Sequence, residues 1–352
     1  MEREQKIRKI LSIVSLVAVT GLLYLFTIIF DSYQLRIVNL CGIYITLGLS
    51  LNLIYGFTGM FSLGHAGFMA IGAYTSALLT MSPQLKEMNF FLEPIVPWLA
   101  SAEWSFLPAL LMGGLLAAVL GFLIGAPVLK LRDDYLAIAT LGFAEIIRII
   151  FTNTQNITNG PLGLKGLPPY TTIWWSWGIA LVTIVFMVYL FKGSYGRAFI
   201  AIREDEVAAE TMGINLFRHK ILSFTIGSFM AGIAGGLLAH LMGTIDPLMF
   251  RFTLTYNILL IVVLGGMGSI TGSIISGIVI TVMMEYLRFL DGPMDFGFFK
   301  TDGISGLRMV IFSVMLMAVI LFFQKGLMGN REFSWDFLFR KKRTTSDTVE
   351  GD

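Results

Sequence analysis

Between Arg36 and Lys86 the chain carries no Asp, Glu, Lys or Arg. A run of that length suits two bilayer crossings joined by a short connection, since a spanning helix needs about 20 apolar residues. Buried in water-free hydrocarbon, each unpaired charge costs several kcal/mol. The rest of the chain follows suit: 56% of residues are hydrophobic and 14% are charged, where a soluble domain carries about a quarter charged. The bilayer is the main solvent for this sequence.

The apolar runs predict an all-α, polytopic transmembrane helix bundle of about ten spans, with eight to ten admissible. They lie at 10–30, 37–56, 65–81, 106–129, 135–152, 174–192, 219–241, 254–271, 273–290 and 304–324. The first follows Arg3, Lys6, Arg8 and Lys9 and is too long for the apolar part of a signal peptide, so it reads as a retained helix after a cytoplasmic segment 1–9. The membrane-embedded body is then 10–324 and the basic tail 325–352.

Loop charges set the orientation. With ten crossings and the N-terminus inside, the inner side collects 17 Lys and Arg, and the outer side collects Arg36, Lys86, Lys165, Arg251, Arg288, Lys300 and Arg308. Both termini are therefore expected in the cytoplasm, with lipid as the surrounding partner. Trp98, Trp104, Trp174, Trp175 and Trp177 fall in predicted outer loops, where an aromatic belt anchors the interface.

Other functions are disfavoured by what the sequence holds. A net charge of +2 offers no nucleic-acid surface, so no nucleic-acid partner is expected. Cys41 has no second cysteine to pair with, and three scattered histidines give no metal-ligand spacing, so no metal site is expected. Nothing matches a phosphate-binding Gly-x-x-x-x-Gly-Lys-Ser/Thr loop, and no catalytic constellation can be assembled. The chain reads as a non-enzyme that holds no cofactor itself.

One segment is too charged to cross. Residues 193–218 read as a cytoplasmic helix from Ala198 to Met212, stopped by Gly213 and followed by a turn at Asn215. Arg203, Glu204, Asp205, Glu206 and Glu210 are interleaved there with Ala201, Val207, Ala208 and Met212. An amphipathic element of this kind is either a solvated loop helix or a docking knob for a soluble partner.

Two stretches are dense in glycine: Gly56, Gly59, Gly64 and Gly67, then Gly265, Gly266, Gly268, Gly272 and Gly277. Helices do not run undisturbed through such density. Either the glycines let helices pack closely or turn, or the breaks mark a translocation path whose freed backbone groups line a cavity. On the path reading, Asn52, Tyr55, Ser62 and His65 would meet solute, with Gly59, Gly64, Gly265, Gly266 and Ser269 forming the breaks. Two Glu-x-x-Arg pairs, Glu145 with Arg148 and Glu285 with Arg288, place opposite charges one turn apart. They read as internally neutralised structural pairs, with a proton relay as the alternative.

In order along the chain, the motifs resemble those of one family. They are Gly56-Phe-Thr-Gly-Met-Phe-Ser-Leu-Gly-His-Ala-Gly-Phe68, Asp134-Tyr-Leu-Ala-Ile-Ala-Thr-Leu-Gly-Phe-Ala-Glu-Ile-Ile-Arg148 and Asn159-Gly-Pro-Leu-Gly-Leu-Lys-Gly-Leu-Pro168. Gly196 to Asn215, Val263-Leu-Gly-Gly-Met-Gly-Ser-Ile-Thr-Gly272 and Gln324-Lys-Gly-Leu-Met-Gly329 complete the set. Together they resemble the LivM-type permease of branched-chain amino acid ATP-binding-cassette importers. The resemblance implies inward translocation of leucine, isoleucine or valine across the cell inner membrane. It also implies a second permease of the LivH type, two cytoplasmic ATPases that hold ATP and Mg, and an extracytoplasmic solute-binding protein. The segment 198–213 would then resemble a coupling helix, often Glu-Ala-Ala-x-x-x-Gly; Ala208, Ala209 and Gly213 fit while Val207 stands in the Glu place. A related importer for urea, amides or other amino acids, or an ion-coupled secondary transporter, are the alternative readings.

Overall fold

A computed structural model describes residues 20–131 and 133–288, with isolated residues outside these ranges. The segment 1–9, most of the span expected at 304–324 and most of the tail 325–352 lie outside the described residues.

Helix α1 runs Thr20–Ile29. Helix α2, Ser32–Asn52, starts where the Asp31 N–H donates to Gln34 Oε1 at 3.3 Å, and it continues into a π-helical turn at Leu53–Phe57. Helix α3, His65–Thr80, follows an extended break. The short helices α4, Pro83–Asn89, and α5, Pro97–Ala100, both begin on proline, which is suited to a first turn whose N–H has no helical partner. Then come α6, Phe106–Val128, α7, Asp133–Asn153, α8, Gln155–Thr158, and α9, Ile173–Lys192. Helices α10, Ser194–Glu204, and α11, Glu206–Thr211, precede the long α12, Leu216–Met242. Helices α13, Phe252–Gly265, and α14, Ile270–Tyr286, complete the described bundle.

Five of these are long and apolar enough to cross a membrane: the continuous Ser32–Phe57, α6, α7 from Tyr135, α9 and α12. The chain is an all-α, multi-pass membrane bundle. Most expected span limits fall within a few residues of the observed ones. The exception is 254–271, which stops at Gly265, because Gly266 adopts φ +104° and turns the chain. With 16 residues, α3 reaches only about 24 Å.

At the centre, α12 packs against both α3 and α6, and α6 against α3. Glycine makes this approach possible. A Cβ on Gly72 of α3 would fall 1.9 Å from the Gly232 carbonyl oxygen of α12, and one on Gly113 of α6 would fall 2.8 Å from the Gly72 carbonyl. No side chain fits between these backbones. By contrast α7 and α9 are peripheral, with 22% and 28% of their spanning windows buried against 83% for α2.

At one end of the bundle, a two-stranded ladder pairs Leu164 with Ile245 and Lys165 with Thr244. There the fully buried Lys86 donates from Nζ to the Leu99 carbonyl at 2.8 Å and to that of Ala102, closing the end of α5. Helices α10 and α11 occupy the opposite end.

Candidate solute path and coupling segment

The first glycine stretch is a break between two helices. In the π turn, the Leu53 carbonyl accepts from Thr58 Oγ1 at 2.8 Å and Ser223 Oγ at 3.2 Å, so hydroxyls satisfy what a regular helix would have paired. Gly59 then takes φ +80°, and its Met60 neighbour donates back to the Ile54 carbonyl at 3.0 Å. From there the chain climbs back into the bundle. Leu63 N–H donates to Thr140 Oγ1 of α7 and Ala66 N–H to Thr255 Oγ1 of α13, both at 3.0 Å. Thr140 lies seven residues beyond the start of α7, so α3 begins about 10 Å inside the bundle.

His65, the first residue of α3, is fully buried. Its Nε2 lies 2.5 Å from Ser50 Oγ, while its Nδ1 has no partner among the described residues. Ser62 is buried beside it, 3.4 Å from the Gly64 N–H, and Gly64 packs on the Thr140 carbonyl. Tyr55 faces Phe61 with ring centroids 5.1 Å apart.

The second stretch is the turn between α13 and α14. Asn52 reaches it from α2: Oδ1 accepts from Gly268 N–H at 2.9 Å, and Nδ2 donates to the Ser269 carbonyl at 2.9 Å and to Ser273 Oγ at 2.8 Å. Ser269 caps α14 by accepting from Gly272 N–H at 3.0 Å. Gly265 packs on Gly272, whereas Gly266 and Gly268 take φ +104° and +81°. The geometry shows the packing-and-turn reading of these glycines: Gly64, Gly265 and Gly272 sit in close packing, and Gly59, Gly266 and Gly268 serve turns.

The two breaks meet on one side chain. Arg203 of α10 donates from Nη1 to the Gly56 carbonyl at 2.8 Å, packs its Cα and stem on Gly59, and lies where a Gly268 side chain would be. Of the residues expected to form the path, Asn52, Gly59, Gly265, Gly266 and Ser269 gather around this point, while Ser62, Gly64 and His65 lie deeper, between α7 and α13.

The charged segment expected to serve in coupling is two helices rather than the single one expected over Ala198 to Met212. Asp205 takes extended backbone angles and its carboxylate accepts from Val207 N–H at 2.8 Å and Ala208 N–H at 3.0 Å, so it ends α10 and caps α11. Gly213, at φ +85°, stops α11 as expected, and Asn215 is the cap of α12, accepting from Arg218 N–H at 2.9 Å. Glu204 pairs with Arg203 and Glu206 with Lys220 of α12. Ala209 is buried, whereas Val207 and Met212 are 72% and 83% exposed, leaving an apolar tip beside Glu210.

Both charge pairs form. Glu145 Oε2 lies 2.7 Å from Arg148 Nε, with both side chains partly exposed. Glu285 Oε1 lies 2.8 Å from Arg288 Nη1 and accepts from the Tyr33 hydroxyl at 2.8 Å. The sequence reading missed Arg251. It was grouped with outer loop charges, yet it lines a cleft with Glu145 and Arg148.

Residues 33–323 match the family model described as branched-chain amino acid transport system / permease component. The chain belongs to this family. The permease is 37% identical over 286 residues to the high-affinity branched-chain amino acid transport system permease protein LivM of Escherichia coli K12, covering 72% of this chain and 63% of that one. It thus spans less than two thirds of that relative's length. It is also 27% identical over 276 residues to the probable LivM permease of Methanocaldococcus jannaschii, covering 70% of this chain and 80% of that one. To the LivH permease of Escherichia coli K12 it is 26% identical over 264 residues, covering 70% and 82%. No solved structure matches the permease.

Proposed function

We propose that this permease forms half of the pore of an ATP-driven importer that moves leucine, isoleucine or valine inward across the cell inner membrane. Its partner in the pore is a second permease of the LivH type. Two cytoplasmic ATPases carry the ATP and Mg, and an extracytoplasmic binding protein delivers the solute. The chain crosses ten times with both termini in the cytoplasm, which puts α10 and α11 on the ATPase side.

The observation that carries this reading is the α10–α11 element. It presents an exposed apolar tip, Val207 and Met212, away from the bundle, while its Arg203 grips the Gly56 carbonyl at the break before α3. A push on the tip has a direct route to the candidate path. Membership of the branched-chain permease family supports the solute class.

The test is uptake of radiolabelled leucine, with urea as comparison, into vesicles holding this chain, its LivH-type partner, the ATPases and the binding protein. Leucine uptake that needs ATP and the binding protein is the expected result. Urea uptake without leucine would replace the solute, and uptake by this chain alone on an ion gradient would replace the mechanism.

A further inference from the structure

A cleft of about 480 Å³ opens on the outer surface of the α7–α13 seam, lined by Leu141, Glu145, Arg148, Arg251 and Phe252. Its volume lies in the roughly 300–1,000 Å³ range of small-molecule sites. Three features set it apart from the apolar surfaces that α6 and α9 present.

The first is depth. Glu145 stands about 18 Å along α7 from its start, inside a helix of about 31 Å. Arg251 follows Phe250, which is buried with its ring 6.3 Å from that of Tyr74, and Tyr74 lies about 9 Å short of the end of α3. These charges sit within the thickness of the bundle, where lipid is a costly neighbour and a water-filled path or a second subunit is the stable one.

The second is charge balance. Arg148 is committed to Glu145 at 2.7 Å. Among the described residues no acidic side chain stands within ion-pair distance of Arg251, so the cleft holds two guanidiniums and one carboxylate, an excess of one positive charge.

The third is position. The inner sides of the same two helices hold the break: Thr140 of α7 takes the Leu63 N–H and Thr255 of α13 the Ala66 N–H. Cleft and break are two sides of one seam.

Resting on the importer reading above, we infer that this cleft binds the zwitterionic head of an α-amino acid. Arg251 takes the α-carboxylate through its planar fork, and Glu145, held in place by Arg148, takes the α-ammonium. Leu141 and Phe252 lie against the apolar side chain. An anionic lipid phosphate would answer the excess positive charge but offers no ammonium for Glu145 to hold, and the experiment below separates the two. Arg148 is a positioning residue.

The experiment is equilibrium binding of radiolabelled leucine to the assembled importer in nanodiscs. Competitors are leucinamide, which lacks the carboxylate, and 4-methylpentanoate, which lacks the ammonium. Arg251→Gln should weaken leucine about ten- to a hundredfold, the loss of a charge-assisted pair, and leave leucinamide within about twofold. Glu145→Gln should weaken leucine and leucinamide while sparing 4-methylpentanoate. Leucine affinity unchanged in both variants overturns the site.

If the variants do not assemble, Leu141→Cys in a Cys41→Ser background gives a second reading. Leucine should slow its reaction with a hydrophilic thiol reagent several-fold. An unchanged rate, or protection by anionic lipid alone, overturns the proposal. Should the native importer take up urea and no amino acid, the functional reading itself fails; ATP-driven leucine uptake with binding untouched by Arg251→Gln fails the site only.

Discussion

Arg203 Nη1 donates to the Gly56 carbonyl oxygen across 2.8 Å, joining a surface helix to the break that opens α3. The same side chain lies against Gly268, whose N–H is held by Asn52. One residue therefore touches both glycine stretches. Replacing it by alanine removes a charge-assisted hydrogen bond worth about 1.5–3 kcal/mol. Arg203→Ala is expected to keep the importer assembled and its ATPases turning over, yet to cut uptake at least about tenfold. The readout is the ratio of solute moved to ATP hydrolysed; an unchanged ratio would show that the link carries no coupling.

Asp205 separates α10 from α11 by accepting two backbone N–H groups. Asp205→Ala should cost the cap about 0.5–2 kcal/mol and loosen α11. The expected outcome is reduced co-purification of the ATPases, restored in Asp205→Asn, whose side-chain oxygen caps equally well.

Val207 and Met212 form the exposed tip. If that tip seats in a partner, Val207→Glu together with Met212→Glu should abolish ATPase co-purification while the permease remains folded by thermal unfolding in detergent.

Lys86 is buried at the ladder end, with Nζ donating to the Leu99 and Ala102 carbonyls. Burial holds its ammonium below the ordinary 10.5, an effect that Glu103 partly opposes. The folded state then binds this proton less tightly than the unfolded chain, so the Lys86 contribution to stability increases as pH rises through the window beneath 10.5. Comparing thermal unfolding of native protein and Lys86→Met at neutral and mildly alkaline pH should show the native protein gaining stability relative to the variant at the higher pH.

Much of the bundle was legible because apolar runs report burial in lipid or protein directly. Helices α6 and α9 fall within a residue or so of their expected limits. What stayed hidden depended on single backbone angles or distant partners. The end of α13 is set by Gly266 at φ +104°, which an apolar run passes over. The split at Asp205 required knowing that an Asp flanked by glutamates acts as a cap rather than as one more charge. At the candidate site, the Asn52 bond to Gly268 crosses 216 residues of sequence, and Arg251 comes to line one cleft with Glu145 only through the packing of α7 beside α13. Periodicity contains neither.

The glycine contacts among α3, α6 and α12 bear on how such a molecule can move. Where Gly72, Gly113 and Gly232 put backbone against backbone, no layer of side chains is available to act as a bearing, and sliding by even one residue would drive a Cβ into a carbonyl. That trio is a welded chassis. Freedom to shift is then left to the lightly buried panels hung on it, α7 and α9, and the Thr140 bond to the Leu63 N–H is the hook that ties α7 to the chain entering α3.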